Sequence, residues 1–406
     1  MITRPHRKLM KDHTHLFFRA PIKFPSTFLA TVAVSLCAAS NVSGQLVLSG
    51  NENKVDLISG GPRVIQPTGP DSVSILDFSK FPPTVQHVSG IGNTVIGPPS
   101  NIAITPDGAI ALIADSIKLD PNNATNWVPH SVVHVMRLAE NHTTYDVQAG
   151  LQPSGISITP NGRLALVANR AGGTVTILAI TGTTVSNAGA VKVCEPLESV
   201  SDVAVSPDGR LALASVQKGG YLAVLNIDGN KVSFTGRKIS AYGQPYRVVI
   251  TPDGKLGLTA GLGFGNATDL DCLTVVDLAP GAMRTIDYVP LGSGPESFEL
   301  SPDGRLLAAV VMEGSNLAPN HPDLSQAGAL VILERRGNTY VRRQRLPVGR
   351  IPEGVAFTGD GRYLVVQCHP DRELRIFSVS GTKVKDTGQR VAVPGMPSSL
   401  RAGPKI

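Results

Sequence analysis

The sequence predicts an all-β protein in which one four-stranded sheet is repeated around a closed ring. Three observations support this. A phrase with a Pro-Asp-Gly corner or a close variant between two apolar runs recurs about every fifty residues. Gly and Pro are frequent and aromatic residues make up only 5%, as short strands joined by many turns require. No segment after residue 44 combines helical periodicity with helix caps. The six copies of the phrase are ITPDGAIALIAD (104–115), ITPNGRLALVAN (158–169), VSPDGRLALASV (205–216), ITPDGKLGLTAG (250–261), LSPDGRLLAAVV (300–311) and FTGDGRYLVVQC (357–368).

Each repeat has the same predicted layout. A Gly- or Pro-containing loop leads into a short apolar strand, the corner follows, and three further strands are separated by turns. In the second repeat these strands are GISIT (155–159), RLALVAN (163–169), GTVTILAI (173–180) and TVSNAGAVKV (184–193). Four short antiparallel strands repeated radially are the blades of a β-propeller.

The two ends of the chain supply the number of blades. The segment GMPSSLRAG (395–403) matches the beginning of a repeat but has no corner after it. The segment LVLSGNENKVDLIS (46–59) aligns with the second and third strands of a repeat that lacks its first, and SVSILDF (72–78) is the predicted outer strand. Together the two fragments complete a seventh blade. The sequence therefore predicts a seven-bladed β-propeller domain over residues 45–406, with the last blade closed by N- and C-terminal strands.

The first 44 residues differ from the rest of the chain. A basic stretch precedes the apolar run TFLATVAVSLCAAS (27–40), and small residues in VSG (42–44) come directly before Gln45. This pattern predicts a secretory signal peptide over 1–44, since the apolar run is shorter than the roughly 20 residues of a membrane-spanning helix. We expect a periplasmic or secreted protein with no membrane span after cleavage. A membrane anchor is the alternative.

Charge argues against nucleic acid as a partner. The leader holds six Lys or Arg residues and one Asp, so its removal changes the net charge from +6 to 6 − (6 − 1) = +1. A nearly neutral mature chain lacks the basic surface of a nucleic-acid-binding protein. We expect a monomer.

Cysteine spacing gives no sign of a metal or redox motif. Of the four cysteines, Cys37 lies in the predicted leader, and cleavage leaves Cys194, Cys272 and Cys368. These three are far apart in the sequence, and an odd number leaves at least one unpaired. Cys272 and Cys368 lie in apolar runs and are predicted to be small buried side chains. The sequence predicts no cofactor and no bound metal.

The repeats resemble those of a known family. The units TPNGRLALVANRAGGTVTILAI and SPDGRLALASVQKGGYLAVLNI are similar to the YVTN-type repeats of secreted bacterial proteins and to the lactonase-type seven-bladed propellers. The resemblance covers residues 46–403. It implies that the loops leading into each first strand and those joining second to third strands surround one mouth of the channel, with the corners on the opposite face. Lactonase-type propellers commonly carry His where the first strand begins, and these segments contain none here.

Residues that differ between repeats on the mouth face are the candidates for function, because a fold needs its corner in every blade whereas a site needs its groups once. We predict Glu296, Glu353 and His369 as acid–base groups. The predicted substrate-binding residues are Asn101, Asn169, Arg170, Tyr246, Arg247 and Glu313. Arg247 is the predicted anchor, since a guanidinium suits a carboxylate or phosphate. The same face also holds Asn51, Glu52, Asp115, Ser154, Glu198, Asp202 and Glu299. The alternative is a solvated rim whose charges pair with one another.

Three long connections are predicted on the same face. They are 116–130, 262–271 and 313–328, and they include Trp127, His130 and His321. Long insertions in a regular array commonly bind a ligand or cover a site, and drift in a tolerant place is the alternative.

Two classes of function follow. The first is a binding or interaction module that takes a small anionic molecule or a protein at the loop-rich face. The second is a metal-independent lactonase or cycloisomerase-like enzyme acting on small carboxylates or lactones. A more distant third is a periplasmic redox subunit, although no heme or quinone motif is present. The missing histidines favour the first, and convergence of Arg247, Glu296, Glu353 and His369 at one mouth would favour the second.

Overall fold

The computed structural model describes residues 45–139, 141–262 and 269–403, with only the backbone of Leu262. The predicted signal peptide, 1–44, lies outside the described residues. The strands in chain order are β1 (Leu46–Glu52), β2 (Val55–Asp56), β3 (Arg63–Val64), β4 (Ser72–Asp77), β5 (Thr84–Ser89), β6 (Ile102–Ile104), β7 (Ile110–Asp120), β8 (Asn123–Arg137), β9 (Thr144–Gln148), β10 (Pro153–Ile158), β11 (Leu164–Asn169), β12 (Thr174–Thr181), β13 (Thr184–Lys192), β14 (Val200–Val205), β15 (Leu211–Val216), β16 (Tyr221–Asp228), β17 (Lys231–Ser240), β18 (Gln244–Ile250), β19 (Leu256–Leu262), β20 (Asp271–Asp277), β21 (Arg284–Gly292), β22 (Pro295–Leu300), β23 (Leu306–Val311), β24 (Ala329–Arg336), β25 (Thr339–Pro347), β26 (Pro352–Phe357), β27 (Tyr363–Cys368), β28 (Glu373–Ser380), β29 (Lys383–Ala392) and β30 (Met396–Ala402).

These strands form seven four-stranded antiparallel sheets, which confirms the predicted seven-bladed propeller. Blades 1 to 6 are consecutive in the chain: β6–β9, β10–β13, β14–β17, β18–β21, β22–β25 and β26–β29. Among the described residues the one helical turn is a 3-10 segment, Pro196–Glu198. No helix in the described part of the chain is long and apolar enough to cross a membrane.

The seventh blade closes the ring in the predicted way, by pairing the two ends of the chain. Its strand order is β30-β1-β4-β5, with Val47 opposite Ala402 and Glu52 opposite Met396. Two of its strands were predicted wrongly. The third strand is β4 and the outer strand is β5, whereas the repeat alignment placed the third strand at 53–59 and the outer strand at 72–78. The reason is an insertion after β1, over 53–71, which forms the separate hairpin β2–β3.

Apolar side chains fill the spaces between neighbouring blades. Seven apolar clusters are present, and each joins one blade to the next around the ring. In the cluster between blades 2 and 3, for example, Leu166 packs with Val203 and Leu225. The second strands of the blades, such as β11 and β23, are therefore buried on both faces, as their near-continuous hydrophobic runs indicate, whereas outer strands such as β5 and β13 are largely exposed.

The acidic residue of the corner serves the turn. In blade 4 the hydroxyl of Thr251 donates to Asp253 at 2.6 Å, and the same carboxylate accepts the backbone N–H of Lys255 at 3.2 Å. Gly254 follows with a φ of 70°, in the left-handed region that favours glycine. The same arrangement recurs in other blades, for instance at Ser301 and Asp303. The repeated carboxylate is thus part of the architecture.

The long connections differ from the predicted loops. Most of 116–130 is not a loop, because β7 and β8 extend past the blade as a hairpin that reaches Asp120 and Asn123. Of 262–271 only the backbone of Leu262 and the last three residues are described, and 313–328 is a series of turns. The extended hairpin meets the insertion after β1 in a small apolar cluster outside the blades, here called the cap cluster. It contains Leu57, Val95, Ile96, Ile117 and Trp127, together with Val55 and Val64.

The three cysteines are unpaired in the described chain. Cys194 and Cys368 are buried and Cys272 is half-buried, so the expected burial is found for Cys368 but only partly for Cys272.

Candidate active site

The residue that follows the proline or valine at the entrance of each first strand forms one layer of side chains around the channel. These side chains are all buried, and the first strand of every blade lines the axis, so they face one another across the mouth. Four are serines. The other three stand side by side in blades 4, 5 and 6, which concentrates the chemistry on one side of the channel. The layer consists of Ser100, Ser154, Ser201, Tyr246, Glu296, Glu353 and Ser398.

Glu296 and Glu353 form a buried acidic pair in this layer. Burial, opposed in part by the charge of Arg170 and a hydrogen bond from Tyr246, raises the pKa of Glu296 to about 8. Burial first, and then the charges of Glu296 and Glu52, raise the pKa of Glu353 well above its usual range. Neither carboxyl oxygen of Glu353 has a hydrogen-bond partner in the described chain. Because the charge of one carboxyl disfavours ionisation of the other, one member of such a pair can act as a base while the other stays protonated and acts as an acid.

Arg170 is the cation whose charge acts on this pair, since it lowers the pKa of Glu296. It donates to the hydroxyl of Ser201 at 2.9 Å and to the side-chain oxygen of Gln217 at 2.8 Å, and its guanidinium lies 5.7 Å from the centre of the Tyr246 ring. All three contacts are with uncharged groups. The charge of Arg170 is therefore not matched by a hydrogen-bonded carboxylate, and it is available to an anionic ligand.

Arg247 is held by protein carboxylates instead. Its guanidinium donates to Asp202 at 3.0 Å and to Glu299 at 2.7 Å, and its Nε donates to a backbone carbonyl. Arg401, from the closing strand β30, pairs with the same Glu299 at 3.2 Å and donates to the backbone of Ile102 at 3.0 Å. These four charged residues lie closer to the corner face than the acidic pair does. They link blades 3, 4, 5 and 7 across the channel, so Arg247 is not placed to bind a ligand as the predicted anchor would.

His369 lies apart from Arg247. It directly follows β27 and is fully buried, its Nδ1 lies 3.1 Å from the carbonyl of Pro397, and its Nε2 has no partner in the described residues. Burial lowers its pKa to about 4, so the ring is neutral at pH 7. No described hydrogen bond or ion pair joins His369 to Glu296 or Glu353.

The remaining predicted residues support the rim. The Asn101 amide donates to the carbonyl of Thr94 at 3.0 Å, and that of Asn169 donates to Thr174 and Thr176 at 2.9 Å each. Glu313 pairs with Arg345 of the outer strand β25 at 3.0 Å, away from the acidic pair. The four residues proposed as a test of convergence therefore do not converge: Glu296 and Glu353 lie together, Arg247 belongs to a separate ion network, and His369 has no described contact with either group.

A second charged cluster near the mouth was missed by the sequence reasoning. Lys54 contacts Asp71 and lies 3.7 Å from Glu52 and 3.8 Å from Asp115. Although burial disfavours the charged form of Asp115, hydrogen bonds from His130 and His134 and the charge of Lys54 lower its pKa to about 2. Lys54 and Asp71 belong to the insertion after β1, and aligning 53–59 as a blade strand hid them.

One group of side chains has metal-ligand spacing. Donor atoms of Cys368, Asp371 and Glu373 lie within 4.8 Å of one another. Arg375, however, is 2.7 Å from Glu373 and 3.5 Å from Asp371, so a protein cation already neutralises these carboxylates. Burial also raises the pKa of the Cys368 thiol to about 12, which disfavours the thiolate that a metal needs.

Open grooves are present on the opposite face. One of 570 Å³ lies between the corners of blades 1 and 2, and one of 610 Å³ between those of blades 2 and 3. They are lined by turn residues such as Asp107, Asn161 and Asp208, and they contain none of the candidate residues. Size alone therefore does not mark the site.

Comparison with known proteins addresses the fold. No family model and no curated protein matches the sequence. Solved structures do match: a 6-phosphogluconolactonase-like protein of Bacteroides uniformis has a TM-score of 0.66 at 17% identity, over 88% of this chain and 98% of its own. The periplasmic gluconolactonase PpgL of Pseudomonas aeruginosa has a TM-score of 0.63 at 19% identity, over 89% and 99%.

The chain shares its seven-bladed propeller fold with these structures. The resemblance to lactonase-type propellers that the repeats indicated is thus confirmed at the level of the fold. The fold by itself does not assign an activity, since Kuenenia stuttgartiensis hydrazine synthase also matches, with a TM-score of 0.59 at 19% identity over 77% of this chain and 94% of its own. The function therefore has to be argued from the side chains of the channel.

We predict that Arg247 stabilises the fold. In Arg247→Met, Asp202 loses its cation and Glu299 keeps only Arg401, so the free energy of unfolding should fall by about 3–5 kcal/mol. Arg345→Met is the matched control, because Arg345 is about half exposed and pairs with a single carboxylate. It should cost less than about 1 kcal/mol. Urea unfolding measures both. Equal losses in the two variants would contradict a special role for the channel network.

We predict a pH-dependent stability cost for Glu353. Its pKa is raised by folding, so above the ordinary glutamate pKa the folded state holds a proton that the unfolded state releases, and stability falls as pH rises. Glutamine has no titrating proton, so Glu353→Gln lacks this loss of stability. Its free energy of unfolding should rise by more than about 1 kcal/mol relative to that of wild type between pH 5 and pH 8. Glu195→Gln, whose side chain is 69% exposed, is the control. A Glu353→Gln advantage that does not change with pH would refute the assignment.

Proposed function

We propose that this chain is a metal-independent enzyme that hydrolyses small lactones of sugar acids at the Glu296–Glu353 pair. The observation that carries the proposal is a buried pair of carboxyls, both with raised pKa values, beside Arg170, a cation whose described hydrogen-bond partners are all neutral. Perturbed acids of this kind cluster at functional sites because an isolated buried acid destabilises the fold. The lactonases among the structures of the same fold give the substrate class.

The pair can supply both proton transfers of lactone hydrolysis. Glu296, as the carboxylate, takes a proton from a water molecule, whose oxygen forms the new bond to the carbonyl carbon. Arg170 stabilises the negative charge that develops on the carbonyl oxygen. Glu353, which stays protonated, donates its proton to the ring oxygen as the carbon–oxygen bond of the lactone breaks. The products are the hydroxy acid and, after exchange of protons with solvent, the starting form of the site.

A binding module is the second proposal. The observation that favours it is the closed mouth, because the layer of Glu296 and Glu353 is buried and is covered by the segment 91–99. In that case the same residues would hold an anionic ligand without turning it over. The two proposals can be distinguished by measurement, because a binding module would bind its ligand saturably but would not catalyse its conversion.

Turnover of lactones tests the first proposal. Residues 45–406 would be assayed with D-glucono-1,5-lactone, its 6-phosphate and smaller lactones in a pH-indicator assay. Glu296→Gln and Glu353→Gln should lower kcat at least about 100-fold, because each removes a proton-transfer group. Arg170→Met should lower kcat/KM at least about tenfold. Activity should rise as pH increases through about 8, where Glu296 loses its proton.

Glu195→Gln is the activity control, since its exposed side chain contacts only Lys192 and its own turn. If no lactone is hydrolysed, or if both glutamine variants keep wild-type kcat, the hydrolase proposal is wrong. Calorimetric binding of D-gluconate that is lost in Arg170→Met, with no turnover, would support the binding module instead.

We also propose that the chain is exported. The composition of residues 1–44 supports this, and so does the periplasmic protein among the structures of the same fold. The N-terminal residue of the mature protein, isolated from a secreting host, should be Gln45. A mature chain that retains the apolar run 27–40 would refute cleavage.

A further inference from the structure

The segment Ile91–Pro99, here called the mouth strap, joins the outer strand of blade 7 to blade 1. It contains no strand or helix, yet seven of its nine residues are buried. Connections usually run over the surface because their backbone groups need water or other partners. A buried irregular segment at the mouth of the channel therefore needs an explanation.

The strap spans the mouth layer. A Cβ placed on Gly97 would lie 2.3 Å from the hydroxyl of Ser154 in blade 2 and 3.4 Å from the side chain of Arg170. The Gly97 backbone also lies near enough to Tyr246 of blade 4 to affect the pKa of its hydroxyl. One residue of the strap thus lies close to blades 2 and 4 of the ring that holds the acidic pair, and close to the proposed cation.

Its backbone is fixed to the mouth at two further points. The N–H of Val95 donates to the carboxylate of Glu52 at 2.5 Å, and the charge of Glu52 acts on Glu353. The side chain of Asn93 accepts a hydrogen bond from Ser398 of the mouth layer at 2.7 Å. Outside the channel, Val95 and Ile96 pack in the cap cluster with Trp127. The strap is therefore held on its channel side by hydrogen bonds to Glu52 and Ser398, and on its outer side by the cap cluster.

The other end of the channel holds the ion network. The first strands run from the mouth to the corners, so the paired charges of Arg247, Glu299 and Arg401 lie below the acidic pair. A molecule that approaches from the mouth face meets the strap. The acidic pair is thus enclosed by a fixed ion network on one side and an irregular segment on the other.

We propose that the mouth strap is a lid that opens to admit ligand to the acidic pair, with Glu52 as its latch. The proposal rests on the function proposed above only for what the lid admits. Opening breaks the hydrogen bond from Val95 to Glu52 and moves Val95 and Ile96 out of the cap cluster. Ile91, at the start of the strap, stays in the cluster between blades 7 and 1, so the seven inter-blade clusters remain intact. Trp127 is the one tryptophan of the chain, so its fluorescence reports on this movement alone.

The test compares two glycine-to-alanine variants. Gly97 has a φ of 119° and Gly189, in the exposed strand β13, has a φ of 121°. A Cβ at Gly189 meets no atom within 4 Å, whereas one at Gly97 collides with Ser154. Both variants carry the same backbone strain, but only Gly97→Ala should unseat the strap.

Three measurements read the lid without relying on catalysis. They are amide hydrogen exchange at Val95, labelling of Glu353 by a water-soluble carbodiimide, and Trp127 fluorescence. In wild type, Val95 should exchange at least about tenfold faster than the amides of a central strand such as β11, since the lid opens without global unfolding. Gly97→Ala should speed both exchange and labelling by a further factor of about ten and shift the fluorescence, and Gly189→Ala should match wild type.

The outcomes separate the lid from the enzyme. If Gly97→Ala and Gly189→Ala give the same labelling and exchange, the strap is not a barrier and the proposal is wrong. If Gly97→Ala fails to fold, hydrogen exchange in the wild-type protein provides the test. Exchange of the Val95 amide only at the rate of global unfolding would show that the strap does not open, and the lid proposal would be wrong. A strap that opens in a chain without lactone turnover refutes the hydrolase and leaves the lid. Lactone turnover in a chain whose strap never opens refutes the lid and leaves the hydrolase.

Discussion

The pairing of β30 with β1 is the interaction on which the rest of this structure depends. It joins residues that are about 350 positions apart and leaves no free edge on the inner strands of the ring. Only a closed ring brings the seven first strands to a common axis, so that the residue after each entering proline or valine becomes part of one layer. The hydrogen bond from Gln367 to Ser49, at 2.8 Å, and the reach of Arg401 across to Glu299 both exist because the ring is closed.

Two neighbouring layers of the channel treat buried charge in opposite ways. In the lower layer Arg247 and Arg401 meet Asp202 and Glu299 in direct ion pairs, which offsets the cost of taking the charges out of water. In the mouth layer Glu353 has no partner in the described chain, and burial keeps it protonated. A fold under selection for stability alone would not place an unpaired acid there. This contrast is the physical reason for assigning a structural role to the lower layer and a chemical role to the mouth layer.

Much of the fold was predictable because its signals are local. The Pro-Asp-Gly corners, the apolar runs and the turn glycines recur in each blade, and the two terminal fragments together match one repeat. The errors arose where local pattern is ambiguous. The run KVDLIS after β1 alternates like a strand, but Val55 packs in the cap cluster rather than in blade 7. Residues 116–130 contain Asp, Asn and Pro, which favour turns, and yet they continue a hairpin that is stabilised by apolar packing against the insertion after β1.

The candidate site divides along the same line. By itself the sequence determined the number of blades, the position of each first strand and hence the set of residues that could line the mouth, because these follow from a short repeating pattern. It did not distinguish Arg170 from Arg247, since both are arginines on the same face. Only the tertiary structure decided that Arg247 is paired with carboxylates, that Arg170 is not, and that segment 91–99 covers the layer. Partnership and burial depend on side chains from blades far apart in the chain, and no local pattern records which of them meet.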